Sequence, residues 1–237
     1  VAKVIGVVDE TPRVRTLVLH VPEWPGHVAG QHVDVRLTGD DGASAQRSYS
    51  IASEPEARYL ALTVERLDEG EVSPYLASEV RAGDEFELRG PIGGFFVWTV
   101  SLGGPLWLIA GGSGIVPLRA MLRHRAAVDS RIPASLLYSS RSVDDVIYRD
   151  ELPRLIGRGD GLRITHTLTR VQPPGWAGPA RRIDPALLVE TGFPPEAQPR
   201  IYICGPAGLV ESVAQQLLDL GHPSEQIRTE RFGPTGP

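Results

Sequence analysis

Near residue 100 the spacing of apolar residues changes, and that change limits the folds open to the chain. Before it, short segments alternate. In "VDVRL", Val33, Val35 and Leu37 share one face, with Asp34 and Arg36 on the other. "LALTVERL" repeats the pattern with Leu60, Leu62 and Val64, and "DEFELRG" with Phe86 and Leu88. A period of two, broken by Pro/Gly turns, predicts an antiparallel barrel or sandwich. After residue 104, "PLWLIAGG" is a continuous apolar run, as in a strand buried on both faces. "ASLLYSS", "LRITHTL" and "RIYICG" follow, separated by helical patterns. These include "VDDVIYRDELPRLIG", "IDPALLV" with Asp184 as N-cap and Pro185 as first helical residue, and "GLVESVAQQLLDLG" with Val210, Val213, Ala214 and Leu217 at helical spacing. Alternating strand and helix predicts a parallel sheet with right-handed crossovers. The boundary falls in "VSLGGP", Val100 to Pro105, giving domains over 1–101 and 105–237. No internal repeat or low-complexity tract interrupts this plan.

Composition narrows the function by exclusion. Of 237 residues, 41% are hydrophobic and 22% charged, as in an ordinary globular core. No run approaches the ~18 apolar residues of a membrane helix. "VAKVIGVVDE" has no basic region leading into a long apolar segment, so no secretory signal is read there. The expectation is a cytoplasmic monomer with no membrane partner. The one cysteine, Cys204, allows neither a disulfide within the chain nor a four-cysteine iron–sulfur cluster, and no metal site is expected. A formal charge of -5 argues against nucleic acid as a partner.

Several stretches could carry chemistry. "AGGSGIVP" follows a buried strand and opens a helix, the context of a phosphate loop. Gly112 and Gly114 would let the backbone approach an anion, and the helix start at Ile115 offers free N–H groups. Pro117 falls in the first turn, where its missing N–H costs nothing. A ligand-free strand-to-helix turn would read the same way. Ser139, Ser140 and Arg141 follow the next strand, where a ligand's ribose would lie beyond the strand ends. A dinucleotide loop selecting NAD usually offers a carboxylate there, whereas neutral donors plus a guanidinium suit a 2′-phosphate; a surface loop with an N-cap serine is the alternative reading. Cys204 ends a strand beside Gly205 and Pro206; a lone cysteine is by default a buried structural thiol. "QRSYSIAS" sets Arg47 and Tyr49 among the hydroxyls of Ser48 and Ser50. Gly70, Val72 and Ser73 in "EGEVSPYLA" open a second helix as another anion cradle.

Taken in order, "RSYS", "GEVSPYL", "GPIGGF", "GGSGIVP", "SSRSVDDVIYRDEL", "CGP" and "TERFGPTG" are more specific than any one of them. The chain resembles the ferredoxin–NADP⁺ reductase superfamily of flavoproteins over essentially its whole length. The resemblance implies an antiparallel β-barrel that binds flavin, followed by an α/β parallel-sheet domain that binds NAD(P). It implies that Arg47 pairs with the flavin pyrophosphate and that Tyr49 packs on the isoalloxazine and ribityl chain. Ser50 would approach the reactive ring nitrogen. Thr63, Val64 and Glu65 would contact the flavin by backbone, and Val72 and Ser73 would hold its pyrophosphate. Gly112, Gly114 and Pro117 match the dinucleotide's phosphate loop, proline included. Cys204, Gly205 and Pro206 match the loop beside the nicotinamide, and Glu230 resembles an acidic residue near the flavin. The chain departs from the plant-type pattern in ending "ERFGPTGP" without the aromatic that stacks on the flavin, and in lacking a fused ferredoxin domain.

The function so implied is an FAD-dependent oxidoreductase that takes hydride from NAD(P)H and passes electrons to a separate acceptor. The acceptor would be a ferredoxin-type protein or an oxygenase component. Ser50, Cys204 and Glu230 are the expected catalytic residues. The expected cofactor is FAD rather than FMN, with NADPH favoured over NADH. A free-flavin or ferric-complex reductase, a flavin-binding subunit without turnover, and a flavin-free dehydrogenase are the alternatives. Arg119, Arg123 and Arg125 lie on one helix, with Arg119 and Arg123 on one face; they are read as a solvated surface in preference to a ferredoxin-docking patch.

Overall fold

The computed structural model describes residues 1–39 and 42–232. The end of "TERFGPTG", from Gly233 onward, lies outside them. The first half is an antiparallel sheet of β1 (Ala2–Thr11), β2 (Val14–His20), β3 (His32–Thr38), β4 (Ser44–Ser50), β5 (Leu60–Glu65) and, after α1 (Val72–Ser78), β6 (Glu85–Ile92). The strand order is β4-β3-β6-β1-β2-β5. The two ends meet through a bridge between Ile51 and Leu62, so the sheet curls into a barrel. Val33, Val35, Leu62, Val64 and Phe86 fill its interior, as the alternation predicts.

The predicted alternation is incomplete in β5. Ala61 and Thr63, on the expected polar face, are buried as well. The second domain covers that face, so both sides of the strand are interior.

The second half holds β7 (Leu106–Gly111), α2 (Ile115–Ala127), β8 (Ala134–Ser140), α3 (Leu152–Ile156), β9 (Leu162–Leu168), α4 (Pro185–Thr191), β10 (Arg200–Pro206), α5 (Ala207–Asp219) and β11 (Ile227–Phe232). The strands are all parallel, in the order β11-β10-β7-β8-β9. The chain moves outward from β7 to β9, then returns to the other side of β7 as β10. The crevice beyond the carboxyl ends of β7 and β10 is therefore a topological switch point, where such sheets bind ligands. Asp184 caps α4 as predicted, accepting from Leu187 N at 2.8 Å, with Pro185 first in the helix.

Two predictions need correction. "VDDVIYRDELPRLIG" is not one helix: Val143–Asp145 form a single 3₁₀ turn, Tyr148 has φ +62°, and only Leu152–Ile156 are α-helical. Pro153 lies in the first turn of α3, where its missing N–H costs nothing, whereas in the interior of one long helix from Val143 it would break the hydrogen-bond ladder. The arginines of α2 are neither a solvated face nor a docking patch. Arg119 and Arg125 are buried, and each is ion-paired. Arg119 binds Glu151 at 2.5 Å and donates to the Ala52 carbonyl at 2.9 Å. Arg123 pairs with Glu54. Arg125 bonds the carbonyls of Ile132 at 2.8 Å and Asp160 at 2.6 Å, and its ion pair is with the Asp160 carboxylate. The helix lies between sheet and barrel, so its charges must find partners inside the protein.

Candidate functional site

The crevice is built by close backbone packing. β7 ends at Gly111, and the chain passes through Gly112 at φ +53°, a left-handed conformation that suits glycine. A side chain at Gly114 would overlap the Cys204 carbonyl and lie 2.7 Å from the Gly205 nitrogen. The glycine loop is thus seated directly on the end of β10. Ile115 starts α2 and Pro117 falls in its first turn, where its missing N–H leaves no gap in the helix. No side chain caps this 13-residue helix at its N-terminus; a 3₁₀ turn over Gly112–Gly114 leads into it, and the Ile115 amide, expected to be free, donates to the Gly112 and Ser113 carbonyls of that turn.

Cys204 and Glu230 lie opposite each other on the paired strands β10 and β11. Cys204 is fully buried. Burial, and then the nearby Glu230 charge, push its thiol well above the usual value. Burial alone raises Glu230 to about 7, and its Oε2 has no hydrogen-bond partner among the described residues. A neutral thiol beside an acid that is half-protonated near neutrality can supply an apolar wall and a movable proton. Folded protein at pH 8 is expected to leave Cys204 unmodified by iodoacetamide, with labelling only after urea unfolding; rapid labelling of the folded chain would contradict the buried neutral thiol.

On the barrel side, Ser50 ends β4, two residues before Ala52, the residue held by Arg119. Its hydroxyl is buried and has no partner among the described residues. Ser48 is exposed and donates to Asp34 at 2.6 Å, so these two serines face different tasks. Arg47 is exposed and, among the described residues, bonds the adjacent Gln46 carbonyl at 2.7 Å. Tyr49 packs against the barrel core, and burial raises its hydroxyl to about 12. Closure of the barrel stops at Leu62, so no strand among the described residues pairs with the outer edge of Thr63, Val64 and Glu65. Gly70, at φ +122°, leads into α1, where Val72 and Ser73 are buried. Ser73 Oγ accepts from Leu67 N at 3.2 Å.

At the end of β8, Ser139 and Ser140 are buried and Arg141 is exposed. Among the described residues Arg141 has no ion-pair partner. Its carbonyl accepts from the Arg170 and Val171 amides at 2.9 and 3.0 Å, which brings a second arginine to the same corner. Arg170 has no sequence signal of its own, because it lies one strand away in the chain. Gly205 and Pro206 follow Cys204 at the lip, Pro206 exposed.

A curled antiparallel sheet and a parallel sheet with a glycine loop at its switch point define a redox module with two nucleotide sites. Comparison with known proteins agrees. Residues 2–97 match the oxidoreductase FAD-binding domain family and residues 108–215 the oxidoreductase NAD-binding domain family. The chain is 30% identical over 236 residues to the glycine betaine monooxygenase reductase subunit of Chromohalobacter salexigens, covering 98% of this chain and 63% of that one. It is 31% identical over 201 residues to NADH-cytochrome b5 reductase 1 of Aspergillus terreus, covering 81% and 67%. It superimposes on the flavohem-like FAD/NAD-binding domain of nitric oxide dioxygenase from Vibrio cholerae with a TM-score of 0.86 at 27% identity, 98% of each chain being covered. A ferredoxin NADP⁺ reductase from Neisseria gonorrhoeae, bound to FAD and NADP, gives 0.82 at 25% identity with 97% of each covered. The chain belongs to the ferredoxin–NADP⁺ reductase superfamily of NAD(P)H-dependent flavoprotein reductases. It spans 63–64% of the length of the first two curated relatives it matches.

Proposed function

We propose that this chain takes hydride from NADPH onto FAD and passes the electrons to a separate redox protein, with 1–101 as the flavin half and 105–237 as the nucleotide half. The observation that carries this reading is the pairing of Cys204 with Glu230 beside the seated glycine loop. The residues present fit both nucleotides: a buried Ser50 hydroxyl without a protein partner, an exposed Arg47, an unpaired β5 edge, and an uncapped α2. The chemistry a bound flavin supplies is acceptance of a hydride and release of its electrons, one or two at a time.

The chain's own residues bind, orient and hold protons. Arg47 and the start of α1 would bind the flavin pyrophosphate, and a pyrophosphate is what separates FAD from FMN. Ser50 would donate to the flavin ring. Gly112, Gly114 and α2 would hold the dinucleotide's pyrophosphate by backbone N–H groups. Cys204, with Gly205 and Pro206, would limit how far the nicotinamide can drift from its reacting geometry. Glu230 would hold or yield a proton at Oε2. Ser139, Ser140 and Arg141 would receive the 2′-phosphate. Arg141→Ala is expected to raise KM for NADPH about tenfold or more and to change KM for NADH little; equal losses would reject the phosphate contact.

The acceptor is proposed to be a protein of the ferredoxin or oxygenase-component kind. It would not dock on the α2 arginines, which are engaged within the protein. The test is purification followed by a visible spectrum, chromatography of the heat-released flavin, and anaerobic mixing with NADPH. A yellow protein that releases FAD and bleaches on mixing is expected. A colourless protein that turns over added flavin would mark a free-flavin reductase. A yellow one that never bleaches would mark a subunit without turnover.

A further inference from the structure

Tyr148 is where the second domain reaches into the barrel. Its hydroxyl donates to Thr63 Oγ1 at 2.6 Å. Thr63 Oγ1 lies 2.7 Å from Thr16 Oγ1, and the Thr16 hydroxyl donates to Glu10 Oε1 at 2.7 Å. Thr16 has one hydroxyl proton and gives it to Glu10, so Thr63 must be the donor to Thr16. One unbroken run of donors thus leads from Tyr148 through two buried threonines to Glu10 at the barrel's edge. Burial raises the Tyr148 hydroxyl, which therefore stays a donor at neutral pH.

The rest of the loop holds Tyr148 in place. Arg119 lies over its ring, 4.4 Å from the centroid, and Glu151 fixes that guanidinium. The Ile147 amide donates to the Tyr138 hydroxyl at 3.2 Å. Tyr148 itself adopts φ +62°, a conformation a bulky aromatic takes only when its surroundings enforce it. A mere contact between domains would need none of this. The enforced backbone aims one hydroxyl at one side chain.

We propose that Tyr148 is a positioning residue for the redox reaction: through Thr63 it fixes the unpaired edge of β5 relative to the dinucleotide loop. The inference rests on the proposed function, in which that edge meets the flavin. One hydrogen bond then couples the placement of the two cofactors.

The test uses the flavin-loaded full chain. Tyr148→Phe keeps the ring and its contact with Arg119 and removes only the hydroxyl. It is expected to slow flavin reduction by saturating NADPH about fivefold to tenfold, the worth of one buried hydrogen bond, with KM for NADPH within twofold of wild type. The visible circular dichroism of the bound flavin is expected to change, and amide exchange in the 63–65 segment to quicken. Thr63→Val should reproduce these effects, and the double variant should be no worse than Thr63→Val alone. Unchanged dichroism and reduction rate in Tyr148→Phe, or additive losses in the double variant, would overturn the proposal. If Thr63→Val does not fold, the dichroism and exchange of Tyr148→Phe decide alone. A wild-type protein that binds no flavin would instead refute the underlying function, which separates the two failures.

Discussion

Gly114→Ala is expected to abolish dinucleotide binding and to lower the melting temperature by roughly 10 °C, through about 3 kcal/mol of overpacking. The added methyl would overlap the Cys204 carbonyl and approach the Gly205 nitrogen, both backbone atoms of β10 and its following turn. Neither side can yield cheaply. β10 is bonded on one flank to β7 and on the other to β11, and the glycine loop continues straight into α2. Relief requires moving the loop off the strand, which disrupts the proposed phosphate cradle and shifts Cys204 at once. Gly112→Ala is the contrasting variant. Nothing lies within 4 Å of its side-chain position, so only the left-handed backbone is strained, at about 1 kcal/mol. Thermal unfolding with NADPH titration distinguishes the two. A Gly114→Ala protein with wild-type melting and binding would refute the close seating of the loop on β10.

This pair of glycines also shows what the sequence could and could not convey. The strand-loop-helix order around Gly112 and Gly114 was legible, because a continuous apolar run, a glycine cluster and a first-turn proline are local signals. That Gly114 rests on Cys204 was not. The contact joins residues 90 positions apart, and only the return of β10 beside β7 creates it. The same limit explains β5. Leu60, Leu62 and Val64 announced a strand with one apolar face. The burial of Thr63 depends on Tyr148, 85 residues later, and a threonine there reads as a polar surface position.

The arginines of α2 mark the sharpest limit. Arginines at i and i+4 look the same on a solvated helix, a docking patch or a buried clamp. Their partners decide, and those lie far off in the chain: Glu151 is 32 residues from Arg119 and Glu54 is 69 from Arg123. "YRDEL" likewise had a helical composition, yet Tyr148 takes a left-handed backbone, its hydroxyl bonds Thr63, and helix begins only at Leu152, with Pro153 in its first turn. Cys204 and Glu230 were each singled out by resemblance, one beside the nicotinamide and one near the flavin; that they face each other is visible only in the parallel register of β10 and β11.

Glu230→Gln is expected to stabilise the protein at pH 8 by up to about 3 kcal/mol while leaving it near wild type at pH 4. The wild-type carboxyl titrates at about 7 when folded, against 4.5 for an unperturbed glutamate. Below pH 4.5 it is protonated in both states and contributes no pH dependence. Between 4.5 and 7 the unfolded chain ionises first, so it binds fewer protons than the folded one and stability falls as pH rises. Above 7 both states are ionised and the penalty of a partly buried carboxylate with an unpartnered Oε2 remains, at most about 1.4 kcal/mol for each pH unit of the window. Glutamine has the same shape and no charge, so the slope should vanish. Urea unfolding of both proteins from pH 4 to 8 measures it. Parallel curves would mean that Glu230 is ionised and solvated like any surface acid, and its proposed role as a proton holder at the crevice would fall with that result. If the slope is present, the flavin-reduction rate of the wild type should also change near pH 7, and that of Glu230→Gln should not.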